Sequence, residues 1–136
     1  MSNLRKYYKL PRKQRTLFRE TLLKMYCSKF LLLLFSFKKV ASFLKNKGSE
    51  GQLNEQEVLE IKQAIFRANK LAWWKHTCLV NTLTSRWVLN RRKISSTAYL
   101  GVKKDESQQL IAHAWLKAGN YEIIPKEEDF LELHQF

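Results

Sequence analysis

Cys78 and His113 are the two side chains that together could carry out nucleophilic chemistry in this chain. Cys78 lies in residues 73–79 (Trp-Trp-Lys-His-Thr-Cys-Leu), where a helix is predicted to begin. His113 lies in residues 111–116 (Ile-Ala-His-Ala-Trp-Leu), which have the composition of a strand. Unpaired N–H groups and the helix dipole favour a thiolate at a helix start, and an imidazole can accept the thiol proton and return it. The pair therefore predicts a Cys–His nucleophile.

Spacing alone leaves other interpretations of the pair open. A cysteine and a histidine 35 residues apart also fit a buried thiol and a strand histidine with only structural roles. His76 could join Cys78 and His113 as a metal trio, but their spacing matches no known ligand pattern. We therefore predict no metal. No glycine-rich phosphate loop is present among four glycines, so no cofactor is predicted.

The elements that must position this pair are helices first. From Pro11 to about residue 46, apolar residues recur at helical spacing, which predicts one long helix, or two with a break near Cys27 and Ser28. Residues 1–9 are basic and predicted to be frayed. After a linker at residues 47–51, Asn54 and Glu57 predict a capping box for a helix to about residue 72. Thr77 is predicted to cap a third helix beginning at Cys78, although a substrate contact is a second role for this hydroxyl.

Strands follow the helices. Residues 97–102 and 110–118 are β-prone, and Asp105 is predicted to be a residue of the turn between them. Gly119 and Asn120 predict a tight hairpin into residues 121–124. Helices followed by an antiparallel three-stranded meander give an α+β fold. Trp115 is predicted to pack in the core. The chain is divided into a basic helical segment (1–50) and a core (51–136), expected to form one compact domain.

Most of the net positive charge belongs to the N-terminal helical segment. Residues 1–50 carry 13 Lys/Arg and 2 acids, a net charge of +11, whereas residues 51–136 carry a net charge of only +2. The basic helices could bind an acidic peptide, a partner or a membrane surface. A solvated face over an apolar stripe is the interpretation that we favour. The apolar run at residues 30–35 is too short to span a bilayer and lacks a cleavage site, so neither a membrane span nor secretion is expected.

Four segments in order carry a family resemblance. They are Cys78-Leu79 at a helix start, Leu89-Asn90-Arg91-Arg92 at its end, residues 99–105 (Tyr-Leu-Gly-Val-Lys-Lys-Asp), and residues 112–116 (Ala-His-Ala-Trp-Leu). Over about residues 54–124 the chain resembles lasso-peptide leader peptidases, and specifically the stand-alone protease of pathways with a separate leader-binding protein.

The resemblance implies a fold, an activity and partners. The fold is a transglutaminase-like, papain-like cysteine-protease core on which the N-terminal helices pack. The activity is cleavage between leader and core of a ribosomally made lasso precursor in the bacterial cytoplasm, with Cys78 as nucleophile and His113 as base. The implied partners are the precursor peptide, a small leader-recognition protein and a macrolactam synthetase. No nucleic-acid partner is expected, because no recognition motif accompanies the charge.

The third catalytic residue departs from the family pattern, which has an Asp on the strand after the histidine. A turn that pairs residue 118 with residue 121 puts position 126, a lysine, opposite His113. Glu122 would lie at the far end of the hairpin. Glu127 is the predicted acid, and it requires a one-residue bulge or slip. A solvated Glu127, with a backbone carbonyl orienting His113 instead, is the alternative.

Two other functions stay open. One is a transglutaminase or other acyltransferase of the same fold, in which an amine replaces water. The other is a basic binding protein without catalysis.

Overall fold

The structure, a computed structural model, describes residues 2–48, 54–71, 78–126 and 130–136. The predicted Thr77 cap, His76, the Trp73-Trp74 pair and Glu127 lie outside these residues. Within the described residues the chain forms five helices followed by a four-stranded antiparallel sheet. The α+β prediction, with helices before a small antiparallel sheet, is confirmed.

The N-terminal helices differ from the prediction in number and in where they break. They are α1 (Ser2–Lys9), α2 (Arg12–Leu34) and α3 (Phe37–Phe43). Residues 2–9 are helical, not frayed, and the Tyr7 ring lies 5.6 Å from the Phe18 ring of α2. The α2 helix is continuous through Cys27, and the helical structure is interrupted at Phe35 and Ser36. There the Ser36 hydroxyl accepts a hydrogen bond from the Lys39 N–H. A serine N-cap starts α3 there.

The next two helices match the prediction closely. The α4 helix (Glu55–Asn69) begins at Asn54, whose side chain accepts a hydrogen bond from the Glu57 N–H. The α5 helix (Cys78–Arg91) has the candidate nucleophile as its first described residue. Nine of its residues are buried because it packs against α2, α4, β2 and β3. A helix enclosed in this way holds Cys78 on a rigid support.

The sheet has one strand more than predicted. Its strands are β1 (Thr97–Lys104), β2 (Leu110–Ala118), β3 (Tyr121–Ile124) and β4 (Leu131–Gln135), in the order β3-β2-β1-β4. Asp105 accepts hydrogen bonds from the N–H groups of Ser107 and Gln109, as its predicted turn role requires. The missed strand, β4, pairs antiparallel with β1 and covers its outer edge.

The main core lies between α4, α5 and the sheet, and it takes Leu17 from α2. Its buried members include Ile61, Val88, Leu89 and Leu116. Trp115 is 2% exposed and belongs to the same cluster, as predicted. No helix in the described part of the chain combines the length and apolar character needed to cross a membrane.

Arg86 is the largest fully buried side chain, on the inner face of α5. Its guanidinium donates hydrogen bonds to the Ser96 hydroxyl and to the carbonyl oxygens of Leu44, Ser96 and Phe136. Burial lowers the pKa of Arg86 to about 10, so the group stays charged at neutral pH. It joins α5 to the end of α3, the entry to β1 and the end of β4.

Candidate active site

Cys78 is the first residue of α5 and is a free, half-buried thiol. Backbone N–H groups in the first turn of an α-helix have no partner within the helix. They and the helix dipole stabilise negative charge on the sulfur or on an oxyanion formed beside it. The position therefore suits a nucleophilic sulfur.

His113 lies in β2 opposite Gly101 of β1 and is 8% exposed. Its Nε2 lies 3.0 Å from the carbonyl oxygen of Pro125. Because a carbonyl oxygen can only accept, the hydrogen bond places the ring proton on Nε2. Nδ1 then carries the lone pair and is the nitrogen able to take a proton from a thiol.

An aromatic row on one face of the sheet holds the His113 ring. The His113 and Trp115 rings stack at 6.0 Å and 19°, and the Phe130 ring lies 5.2 Å from His113. The Tyr99 ring also stacks on the Trp115 ring, at 5.6 Å. Packing against these rings limits the orientations that the imidazole can take.

Gly101 makes room for this row. A Cβ at residue 101 would lie 2.7 Å from Trp115 Cη2 and 2.8 Å from the Leu131 carbonyl oxygen. The Trp115 indole thus crosses β1 where a side chain is absent. The glycine belongs to the segment that carried the family resemblance, and its packing role gives that position a physical reason.

Two lysines that the sequence did not single out border the same face. The Lys126 ammonium lies 5.4 Å from the Trp115 ring, and the Lys103 ammonium lies 4.6 Å from the Phe130 ring. Cations over aromatic faces are attracted by the ring quadrupole. Both therefore place positive charge near His113, with no sequence motif to signal it.

The hairpin between β2 and β3 contains the one-residue slip that the Glu127 prediction needs. Ala118 pairs with Tyr121 and Lys117 with Glu122, but Leu116 pairs with Ile124. Among the described residues, the pairing of β2 with β3 ends at Leu116 and Ile124, before His113 is reached. Glu127 itself lies outside the described residues. Glu122 is opposite Lys117 and 4.0 Å from its ammonium, near the hairpin turn.

The described residues bring together part of the predicted site. His113 has its orienting partner, the Pro125 carbonyl, which is the alternative that the sequence left open. Among these residues, Cys78 and His113 share no hydrogen bond, so their pairing stays a prediction. The described residues also contain no cluster of three His, Cys, Asp or Glu side chains placed to hold a metal ion.

A family model described as the transglutaminase-like superfamily matches residues 23–132. The matched region includes both Cys78 and His113 and begins within the basic N-terminal segment. No curated protein and no solved structure matches the chain.

Proposed function

The chain belongs to the transglutaminase-like superfamily, whose members are typically Cys-His-Asp enzymes, and we propose that it is the leader peptidase of a lasso-peptide precursor. The observation that carries the proposal is the hydrogen bond from His113 Nε2 to the Pro125 carbonyl. It leaves Nδ1 as a base, while Cys78 stands where a helix start favours thiolate. Transglutaminase-like folds fit both cysteine protease and acyltransferase activity.

The short connection between α5 and β1 supports the pairing of the two groups. Arg86 holds α5 against Ser96, one residue before β1 begins. Cys78 lies about 12 Å back from Arg86 along the helix axis. Gly101, which pairs with His113, lies about 16 Å beyond Ser96 along the strand. For Cys78 and His113 to meet during catalysis, α5 and β1 must lie side by side over these similar lengths.

The reaction takes place in two steps. His113 Nδ1 removes the proton from the Cys78 thiol, and the sulfur attacks the carbonyl carbon of the last leader residue. First-turn N–H groups of α5 stabilise the resulting oxyanion. His113 then gives its proton to the core peptide's nitrogen as the C–N bond breaks, leaving the leader as a thioester on Cys78. Water attacks the thioester with His113 again as base, which releases the leader acid and restores the thiol.

The acid that completes the site is proposed to be Glu127. The one-residue register shift at Leu116 is the irregularity that this assignment requires, and a carboxylate beside His113 would stabilise the imidazolium formed in both steps. The Pro125 carbonyl already fixes the ring orientation, so Glu127 adds charge stabilisation. We expect Glu127→Gln to lower turnover by about ten-fold to a hundred-fold, and unchanged turnover would remove Glu127 from the site.

The test is cleavage of the precursor followed by mass spectrometry. The precursor peptide, the leader-recognition protein and this chain are incubated, and separated leader and core are expected. Cys78→Ala should abolish cleavage, whereas Cys27→Ala, which removes the other free thiol, should leave it intact. Cleavage that persists in Cys78→Ala would refute the nucleophile assignment.

The same experiment separates the alternatives. A leader released with the mass of an added amine instead of water would assign the chain to acyl transfer. Precursor binding without any cleavage, unchanged by Cys78→Ala, would favour a binding protein. The macrolactam synthetase is proposed to act next, on the core's newly freed amino group.

A further inference from the structure

The α2 helix has one covered face, and apolar side chains near its C-terminal end project away from it. Its buried residues are Leu17, Thr21, Lys24, Met25 and Ser28. At 100° per residue, these five fall within a single arc on the side that contacts α4 and α5. Phe30, Leu33 and Leu34 project on the opposite side and are 60–70% exposed. The apolar residues that recur at helical spacing up to about residue 46 therefore do not all lie on one covered face.

Exposed apolar side chains continue from the end of α2 through its junction with α3 to the end of α3. We call this set the corner patch; its members are Phe30, Leu33, Leu34, Phe35 and Phe43. Phe43 is 81% exposed, the largest value among the exposed large hydrophobic residues. Leu31 and Leu32 of the same helix turn inward, where they pack with Val40 and Leu44 of α3. The corner is thus anchored from inside while its outer side chains project into solvent.

The corner patch is flanked only by positive charge in the sequence. Residues 21–49 contain six lysines and no Asp or Glu. Lys38, Lys39, Lys45 and Lys47 are exposed and follow or flank the patch residues. Projecting Phe and Leu beside exposed lysines are typical of helices that lie in the interface of an anionic bilayer. Exposed phenyl and leucyl side chains can enter individually between lipid headgroups, whereas a rigid protein partner would need a matching cavity.

We propose that the corner patch docks this protein on an anionic lipid surface. The phenyl and leucyl side chains enter the headgroup boundary, and the surrounding lysines contact acidic headgroups. A second copy of the chain is a poor occupant, because facing two patches would bring two sets of lysines together. The docking is separate from peptide cleavage, since Cys78 and His113 take no part in it.

Vesicle sedimentation tests the proposal with the whole chain. Vesicles of phosphatidylcholine with about one third phosphatidylglycerol should bind the protein at least about ten-fold more tightly than pure phosphatidylcholine. Raising the salt concentration from about 0.1 M to about 0.5 M should weaken binding several-fold, because the Debye length shortens. Equal binding to neutral and anionic vesicles, or no binding to either, would overturn the proposal.

Matched variants locate the binding to the corner. The double variant Phe30→Ser/Phe43→Ser should weaken vesicle binding at least about ten-fold. Phe66→Ser, on α4 and 63% exposed, is the control and should bind as the unchanged protein does. Lys38→Gln/Lys39→Gln should reduce binding and its salt dependence, while Lys62→Gln/Lys104→Gln, which removes two exposed lysines elsewhere, should reduce it less.

Two results would reassign the surface. Full vesicle binding by Phe30→Ser/Phe43→Ser would show that the corner patch is not the docking site. A dimer in light scattering that this variant abolishes, with no vesicle binding by the unchanged protein, would assign the patch to self-association. Circular dichroism checks that each variant is folded, and precursor cleavage is expected to be unchanged in all of them.

Discussion

Glu20 offers a quantitative test, because one carboxylate joins α2 to the end of α5. Its two oxygens accept hydrogen bonds from Arg92 at 2.7 and 3.1 Å. The Lys24 ammonium lies 3.1 Å away and Arg91 Nε 3.8 Å away. Burial alone would raise the pKa of Glu20, but the hydrogen bonds and charges of Arg92 and Lys24 outweigh it and lower the pKa from 4.5 to about 2.

The lowered pKa makes the contribution of Glu20 to folding stability depend on pH. The contribution is fully present above about pH 4.5 and is lost as the pH falls towards 2, because the carboxylate must then bind a proton. The shift corresponds to about 3 kcal/mol at 1.36 kcal/mol per pKa unit. Solvent near the carboxylate screens these charges, so we expect Glu20→Gln to cost about 1–2 kcal/mol at pH 7.

Urea unfolding at several pH values measures this contribution. The difference between the unchanged protein and Glu20→Gln should be largest at pH 7, and it should shrink as the pH falls below 4.5 towards 2. Glu122→Gln, which removes a surface carboxylate 4.0 Å from Lys117, is the control and should change stability by less than about 0.5 kcal/mol throughout. If Glu20→Gln is as stable as the unchanged protein at pH 7, or its deficit does not vary with pH, the ion-pair argument is wrong.

Three further substitutions test packing and capping by urea unfolding. Arg86→Met should lower the folding stability by about 3–5 kcal/mol, because buried oxygens of Leu44 and Ser96 lose their donor. Arg86→Lys should restore only part of that stability. An Arg86→Met variant that is nearly as stable as the unchanged protein would contradict the role of these hydrogen bonds. Gly101→Ala should lower the folding stability by about 1–3 kcal/mol and slow precursor cleavage, because the new methyl group displaces Trp115 from His113. The control is Gly119→Asn, at a left-handed position in the hairpin turn, which should leave cleavage unchanged. Asn54→Ala should cost about 1 kcal/mol with normal cleavage, and no loss of stability would deny the cap.

Local signals in the sequence predicted the elements nearest the site. The Asn54 cap, the strand at residues 110–118 and the turn at Gly119 follow from side-chain hydrogen bonding, alternation and left-handed backbone, all within a few residues. The break before α3 was also signalled locally, by Ser36 as an N-cap. The apolar run through residues 30–37 concealed it.

Features that depend on distant contacts could not be predicted in the same way. The β4 strand is short and gains its pairing only from β1, some thirty residues earlier. The register shift between Leu116 and Lys117 has no local signal in the sequence, because no residue there marks a bulge. Arg86 looked like an ordinary polar helix position, and its burial depends on carbonyl groups up to fifty residues away.

The contacts of Arg86 also constrain the order in which parts of the chain can fold. Its acceptors come from Leu44, Ser96 and Phe136, so the guanidinium stays under-satisfied until three separate regions have reached α5. Closing such long loops is slow. We expect the amides of α5 to become protected from hydrogen exchange together with those of β4, and earlier protection of α5 alone would argue against it. The helix that presents the nucleophile would then be among the last parts to become rigid, so a partly folded chain would not yet present an organised thiol.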